Sequence, residues 1–191
     1  AMIVKRYSSS QTWYVYHRGV NGGTNPENYY LALNDTQAQV DDDYWIDTAP
    51  TSTQFTVGSL LSISNETYIA YLFADNSSED AADRVISCGT YTGNGSTAGP
   101  SVDFGFEPQW IAFKSSSSSG DWQVMDTMRG LTVNGDDEVL QFNTNGSENT
   151  YSGGKVNLTS TGFELVGSGA VNTSSTKYVY IAIRREDMAT I

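Results

Sequence analysis

Few residues in this sequence have the type and spacing that catalysis requires. The only histidine, His17, ends a short alternating stretch between Tyr16 and Arg18. A histidine can activate a serine or cysteine nucleophile, but nothing else in the sequence completes such a set, and we interpret His17 as a polar residue at a strand end. No phosphate-binding loop, dinucleotide fingerprint or metal-spaced Cys/His cluster occurs. We therefore predict no catalytic residues, no cofactor and a protein that is not an enzyme.

Carboxylates are concentrated in two runs, at positions 41–43 and 136–138. Carboxylate pairs cleave glycosidic bonds, so counting alone does not exclude a glycosidase, and oxygen-rich loops can bind Ca²⁺. Neither run has the spacing of an EF-hand loop, and we interpret both as solvated loop ends that enter strands. We predict no metal site; for the alternative of a structural Ca²⁺, the candidates are Asp41, Asp42 and Asp43.

Four tryptophans divide into two groups. Trp13 and Trp122 occupy matching places in an internal repeat described below, which indicates core packing. Trp45 and Trp110 are paired less well, and an exposed indole can stack on a sugar ring. Trp45 and Trp110 are therefore the candidate ligand-binding residues, and the ligand they would hold is a glycan on a host surface.

Asn-X-Ser/Thr acceptor sites are more frequent than composition predicts. Asn-Gly-Ser turns create this pattern for reasons of backbone geometry, but in a secreted filament the same sites could carry glycans. The candidate acceptors are Asn34, Asn65, Asn76, Asn94, Asn145, Asn157 and Asn172.

Two Arg-Gly pairs and one cysteine have structural interpretations. Arg18-Gly19 and Arg129-Gly130 follow Trp13 and Trp122 at similar distances. We expect each arginine to anchor a turn through a carboxylate, and each glycine to supply a positive φ. The single cysteine, Cys88, lies in an apolar strand-like run, and we predict a buried thiol without a reactive role.

The elements that position these residues are predicted to be β-strands. Short runs rich in aromatic and β-branched residues alternate with Gly, Asn, Asp and Ser clusters. The stretch 78–84 could form at most one or two helical turns, and no amphipathic helix is apparent. The predicted strands lie at 2–5, 13–16, 29–33, 67–73, 85–91, 110–113, 122–125, 139–142, 163–166 and 178–183.

Composition excludes several kinds of partner. The chain has 191 residues, 38% of them hydrophobic, and a net charge of −12. The hydrophobic share is large enough to form a buried core. The negative charge argues against nucleic acid and anionic membrane as partners, because binding them needs clustered Lys and Arg. No apolar run is long enough to insert into a membrane. We interpret the acidic surface as that of a protein located outside the cell or on a virion surface.

An internal repeat of about 110 residues is the most informative pattern. It predicts an all-β protein of two related antiparallel β-sandwich-like, jelly-roll-type modules. The boundaries are 1–74 for a truncated first repeat, 75–85 for a linker and 86–191 for a complete second repeat. The matched landmarks begin at Ile3 and Ile111, Trp13 and Trp122, Tyr30 and Val139, Thr51 and Thr159, and Tyr68 and Tyr180.

The first repeat has no counterpart of residues 88–108. The chain could be a fragment of a longer array, a processed product, or a permuted unit that a neighbour completes. A β-sandwich without its opening strand has an unpaired edge, whose N–H and C=O groups favour pairing with another strand. We therefore expect a slot in the first repeat and association with copies of the same chain.

Several strings in the second repeat resemble a known family. They are the stretch 88–96, Gly99-Pro100, the stretch 105–110, Trp122, Arg129-Gly130, Gly162-Phe163 and the stretch 180–185. Together they are similar to a domain of unknown function that recurs, often in tandem, in virion and tail-fibre-like proteins of environmental bacteriophages. The resemblance covers 86–186 well and 2–74 as a truncated copy. It implies a structural or host-contact role in a fibre, with no known catalytic set.

The preferred functional hypothesis is a non-enzymatic structural module of an extracellular fibre or a phage virion or tail fibre. Such a module would self-associate through strand-edge pairing or strand donation. Three alternatives stay open: an adhesin module that binds carbohydrate, a glycan-degrading enzyme, and a secreted, N-glycosylated filament subunit of cellular origin.

Overall fold

The computed structural model describes residues 1–76, 80, 83–131 and 134–185. The predicted all-β, antiparallel fold is confirmed, because apolar runs separated by Gly, Asn and Ser turns form strands in three antiparallel sheets, consistent with a β-sandwich. Most of the stretch 78–84, where one or two helical turns were expected, lies outside the described residues. Among the described residues, turns of 3-10 helix lie at Val20–Gly23, Pro26–Asn28 and Ser59–Leu61. No helix in the described ranges is long and apolar enough to cross a membrane.

Sheet 1 is formed by the first 72 residues, in the order β4-β3-β2-β1-β5. Its strands are β1 (Met2–Arg6), β2 (Trp13–Tyr16), β3 (Tyr29–Ala32), β4 (Val40–Asp41) and β5 (Tyr68–Leu72).

Sheets 2 and 3 are formed by the rest of the chain, in the orders β11-β10-β9-β8-β14-β6 and β12-β13-β7. The strands of sheet 2 are β6 (Ile86–Thr92), β8 (Pro108–Ser115), β9 (Gln123–Asp126), β10 (Asp137–Gln141), β11 (Asn149–Tyr151) and β14 (Lys177–Arg184). Those of sheet 3 are β7 (Ser101–Asp103), β12 (Val156–Thr159) and β13 (Gly162–Leu165).

The alternation of side chains along each strand divides the core between layers. Ile3 in β1 packs between sheets 1 and 2 with Val15 and Val124, whereas its neighbours Met2 and Val4 face the opposite side of sheet 1. That outer side is covered by a non-strand layer that contains Trp45 and the 3-10 turn ending at Leu61. The outer side of sheet 2 is covered instead by sheet 3. The first 74 residues therefore contribute one sheet and a non-strand layer, and a hydrophobic interface joins the two halves.

The strand registers of sheets 1 and 2 coincide. Strands β1 to β4 pair as β8 to β11 do, with each residue of the second set 109 positions after its counterpart. The displacement is 110 for β5 and β14, which pair with β1 and β8 in the same way. The paired positions at the centre are Ile3–Val15–Leu31 in sheet 1 and Ala112–Val124–Leu140 in sheet 2.

Side-chain contacts follow the same displacement. Asn34 accepts a hydrogen bond from the main-chain N–H of Trp13 at 2.9 Å, and Asn143 accepts one from Trp122 at 2.9 Å. The ammonium groups of Lys5 and Lys114 each donate at 2.7 Å to the carbonyl six residues further on. The two halves thus share local contacts as well as strand order.

Some local expectations were wrong. By strand register, Ile3 corresponds to Ala112 and not to Ile111, the residue matched in the sequence. A shift of one residue exchanges the two faces of the strand. Tyr44 and Trp45 lie in a turn and do not continue a strand after the acidic run. Strand β10 begins within the second acidic run, at Asp137, because this carboxylate is buried and bonded to main-chain N–H groups.

Candidate functional site

The open side of β5 is the feature of the fold best suited to an interaction. Strand β5 pairs with β1, and no other strand of the described residues lies on its far side. Its counterpart β14 is central, with β8 on one side and the seven-residue strand β6 on the other. Sheet 1 therefore ends one strand earlier than sheet 2. We call the free side of β5 the β5 edge.

The hydrogen-bonding direction of β5 can be assigned from its end. The N–H of Phe73 donates to the carbonyl of Ala1 at 2.9 Å, and the ammonium of Ala1 donates to the carbonyl of Phe73 at 2.9 Å. In an antiparallel pair, alternate residues bond to the same neighbour. The N–H and C=O groups of Tyr68, Ala70 and Leu72 therefore point away from β1, toward the β5 edge.

Apolar side chains of β5 are exposed to solvent on both faces. Leu72 is 61% exposed, Tyr71 44% and Ile69 42%. Natural sheet edges are usually shortened, charged or covered, because an exposed apolar edge pairs with other chains. In the part of the chain that the structure describes, the β5 edge lacks all three of these protections over its five residues.

A groove continues from the end of β5. It has a volume of about 400 Å³ and lies between Leu72, Phe73 and the loop 50–55. This loop contains a turn in which the N–H of Thr51 donates to the carbonyl of Gln54 at 2.8 Å. Thr159 and Gly162, 108 positions later, pair across the β12–β13 turn. In the second half, β7 lies beside that hairpin, whereas in the first half the groove is open. We call this space the β5 groove.

The other sheet edges are short or covered. Strands β4, β7, β11 and β12 have two to four residues. Strand β6 is longer, but the segment around Gly19 packs against it so closely that a Cβ on Gly19 would lie 2.9 Å from the Cβ of Thr90. This close approach explains Gly19, whose φ is −93°, so the positive φ predicted for it was wrong. Gly130 has the predicted positive φ, at 116°.

His17 is fully buried just beyond the end of β2. Its Nδ1 accepts a hydrogen bond from the N–H of Gly19 at 3.0 Å, and its Nε2 lies 2.9 Å from the carbonyl of Tyr180. The first contact assigns the proton to Nε2, which donates to Tyr180. Burial, together with the positive charges of the amino terminus and Arg18, lowers the pKa of His17 to about 3. His17 is therefore neutral and forms a hydrogen bond between the two halves.

A polar cavity of about 540 Å³ lies where the halves meet near β6. Arg18 and Asp75, which both line this cavity, form an ion pair. This is the carboxylate partner that the sequence predicted for Arg18. Cys88 is 3% exposed, its sulfur lies 3.5 Å from the Ala1 ammonium, and burial raises the pKa of its thiol. The prediction of a buried thiol is confirmed.

The two tryptophans proposed for sugar stacking are both partly or fully covered. Trp45 is 1% exposed, packs edge-on against Tyr16 and donates its indole N–H to the carbonyl of Tyr29 at 3.0 Å. Trp110 is half-buried and lies against Phe142 with ring centroids 6.1 Å apart. A sugar ring has no access to Trp45, which fills the core in place of a second sheet.

The two acidic runs differ in burial. Asp41, Asp42 and Asp43 are exposed, and Oδ1 of Asp42 accepts a hydrogen bond from the N–H of Asp43 at 2.8 Å. Within the described ranges, no three His, Cys, Asp or Glu side chains gather where they could share a metal ion. Asp137 is fully buried; Oδ2 accepts from the N–H groups of Lys155 and Val156, whereas Oδ1 has no hydrogen-bond partner among the described residues. Burial raises the pKa of Asp137.

The seven glycan acceptor candidates fall into three groups by burial. The side chain of Asn172 is fully buried and donates to the carbonyls of Ser96 and Gly167, each at 2.9 Å. Asn157 is 5% exposed and bonded to Glu164. Half-buried Asn76 accepts from the N–H of Val85. The exposed acceptors are Asn34, Asn65, Asn94 and Asn145.

Sequence reasoning identified the β5 strand but not the individual residues of its edge. The signal was present, because the run Tyr68–Leu72 is apolar at every position, as in strands covered on both faces and both sides. The register also aligns Tyr68 with Tyr178, two residues from the Tyr180 match made in sequence. This run is of the central-strand type, yet within the described residues it lies at the end of sheet 1.

A family model described as a domain of unknown function (DUF7483) matches residues 1–186, so the chain belongs to this family. The match spans both halves of the fold in one domain. No curated protein and no solved structure matches the chain.

Proposed function

We propose that this chain is a non-enzymatic structural module of an extracellular fibre or virion, which associates with copies of itself by adding a neighbour's strand to the β5 edge. The observation that carries this proposal is the position of β5. It ends sheet 1, whereas its counterpart β14 has β6 on the equivalent side. Strand addition supplies main-chain hydrogen bonds for affinity and side-chain pockets for specificity.

The chemistry of the edge supports a protein strand as the partner. The outward N–H and C=O groups of Tyr68, Ala70 and Leu72 require hydrogen bonds, and water satisfies them only while the edge is free. Leu72 and Tyr71 offer apolar surface on opposite faces of the strand. An added strand would cover both faces while pairing the backbone, which a small polar ligand cannot do.

Charge sets the conditions under which copies would associate. Each chain carries a net charge of −12, and like charges oppose contact between copies at low ionic strength. The β5 strand itself carries no charged residue. Because salt screens repulsion beyond about 10 Å at 0.1 M, association should strengthen as salt is raised.

Sedimentation velocity over a wide concentration range tests the proposal, with Ala70→Pro as the disrupting variant. Proline removes the N–H of residue 70, which points to the β5 edge, without removing a bond to β1. Ala70→Val is the matched control, because it keeps the N–H and the side chain is exposed. We expect the native chain and Ala70→Val to associate, and Ala70→Pro to stay monomeric with an unchanged circular dichroism spectrum.

Electron microscopy of the associated material distinguishes closed from open assemblies. A contact that repeats from copy to copy builds fibres, whereas a symmetric pair of β5 strands closes as a dimer. Either product that Ala70→Pro abolishes supports strand pairing at β5. A native chain that stays monomeric at every concentration and salt would contradict the proposal.

A further inference from the structure

We infer that the strand received by β5 is of the β6 type, with an aromatic residue facing Tyr68 but a side chain in place of the glycine that β6 carries. This inference rests on the proposed strand addition at the β5 edge. It commits to a protein segment of this chemistry as the partner and not to the β6 of a copy, because that strand carries Gly89 and is already paired with β14. It comes from the second half of the molecule, where the equivalent strand already has its neighbour.

The correspondence between β5 and β14 is set by their common partner strands. Val4 pairs with Ala70, and Phe113, 109 positions after Val4, pairs with Tyr180. Every residue of β5 therefore corresponds to the β14 residue 110 positions later. The neighbours that β14 has in β6 define what the β5 edge would receive at each position.

The first requirement is an aromatic residue at the start of β5. Tyr68 corresponds to Tyr178, which pairs with Tyr91. The rings of Tyr178 and Tyr91 stack with centroids 5.2 Å apart and planes inclined by 10°. Tyr68 has the same ring on the same face of its sheet, half-buried beside the non-strand layer. Such cross-strand aromatic pairs stabilise antiparallel sheets.

The second requirement concerns the middle of the strand. Tyr180 pairs with Gly89, and its ring lies over that glycine, so a Cβ on Gly89 would be 2.4 Å from the Tyr180 hydroxyl oxygen. In β5 the corresponding residue is Ala70, which has no ring to occupy this space. A partner strand therefore gains from a β-branched residue here, where β6 must have glycine.

The third requirement is an aromatic residue beyond the strand. In the second half, Phe104 follows β7 and lies 5.6 Å from the Tyr180 ring and 4.7 Å from that of Phe106, between centroids. In the first half the β5 groove of about 400 Å³ lies beside Leu72 and Phe55, which are 61% and 36% exposed. An aromatic side chain from a segment that continues past the added strand would fill this groove.

A labelled peptide tests the inference directly. The probe has the sequence of residues 84–106, with serine replacing Cys88 to prevent oxidation, and its binding to the intact chain is followed by fluorescence anisotropy. Three versions are compared: the parent peptide, Gly89→Val and Gly89→Pro. We expect the parent to bind, Gly89→Val to bind roughly fivefold tighter, and Gly89→Pro to lose binding because its N–H is absent.

Two chain variants locate the binding. Ala70→Pro should abolish binding of every peptide, whereas Ala70→Val should retain binding of the parent peptide. Gly89→Val made in the chain itself should destabilise the fold, because Tyr180 occupies the space that the peptide variant uses at Ala70. Binding that persists in Ala70→Pro would show that the peptide displaces β6 from β14, and would overturn the inference.

The outcomes separate the inference from the proposed function. Self-association without peptide binding would overturn the β6-type partner and leave strand pairing at β5 intact, with a second β5 as the neighbour. Peptide binding in which Gly89→Val is weaker than the parent would overturn the assignment at Ala70. A chain that neither associates nor binds the peptides would reject both.

Discussion

The indole N–H of Trp122 donates to the carbonyl of Ala32 at 2.8 Å, across the interface between sheets 2 and 1. Trp122 is 1% exposed, and Ala32 is the last residue of β3. A side chain of the second half therefore satisfies a main-chain group of the first. Together with the bond from His17 to Tyr180 in the opposite direction, this contact makes each half part of the other's core.

Replacing Trp122 with phenylalanine should destabilise the whole chain. The change removes the bond to Ala32 and leaves a void, which together cost about 2–4 kcal/mol. Trp13→Phe is the control, because Trp13 occupies the matching position but is half-exposed. A phenylalanine there can still stack on Tyr71, as the Trp13 ring does. We expect it to cost less than about 1 kcal/mol. Urea unfolding measures both; equal losses would contradict the interface role of Trp122.

The two asparagines that bond to the tryptophan N–H groups should contribute unequally. Asn143 is half-buried and also donates to Asp121 at 2.6 Å, whereas Asn34 is exposed. We expect Asn143→Ala to lower the free energy of unfolding by about 1–2 kcal/mol, and Asn34→Ala by roughly half as much. Thermal denaturation of the two variants measures the difference, and a larger effect at Asn34 would be inconsistent with the burial of Asn143.

Acidification should destabilise the fold through His17. Its folded pKa of about 3 lies below the ordinary value of 6.5, so between these values the unfolded chain binds a proton that the folded chain does not. The contribution of neutral His17 to the free energy of unfolding is complete above pH 6.5. It declines as the pH falls, by about 3 kcal/mol at pH 4. Urea unfolding from pH 7 to 4 should show a shallower decline in His17→Gln; parallel slopes would refute this assignment.

Neutralising Asp137 should stabilise the protein at neutral pH. Its folded pKa is raised by burial, so the carboxylate disfavours folding at pH 7 and this penalty disappears below the unfolded pKa. Asp137→Asn keeps an acceptor for the N–H groups of Lys155 and Val156. We expect a higher melting temperature than the native chain at pH 7 and a smaller difference at pH 4. A variant less stable at pH 7 would contradict this prediction.

Glycan attachment, if the chain passes through a glycosylating secretory pathway, should follow exposure. We expect added mass at Asn65 and Asn145, which are exposed in loops, and none at Asn157 and Asn172, which are buried and hydrogen-bonded. Peptide mapping by mass spectrometry of chain expressed in a eukaryotic host measures occupancy at each site. Full occupancy of Asn172 would contradict the expectation that burial prevents attachment.

Local sequence patterns predicted most strands of the fold, but not β4, β7, β11 or β12. Alternating apolar residues and turn-forming clusters are local signals, so the positions of β1, β2 and β8 follow from nearest neighbours. The internal repeat of about 110 residues stays a prediction; the register displacements of 109 and 110 between sheets 1 and 2 describe strand pairing alone. One-residue errors arose where two alignments fit equally well, as at Ile3.

Which polar and aromatic residues are accessible depends on contacts that the sequence patterns did not predict. His17, Trp45 and Asn172 are residue types that suit a surface site, yet each is buried because a segment distant in sequence covers it. The reverse holds for Leu72, an apolar residue left exposed because no strand among the described residues lies beyond β5 in sheet 1. Burial is a property of contacts between distant segments, and a local pattern specifies the faces of a strand without specifying its neighbours.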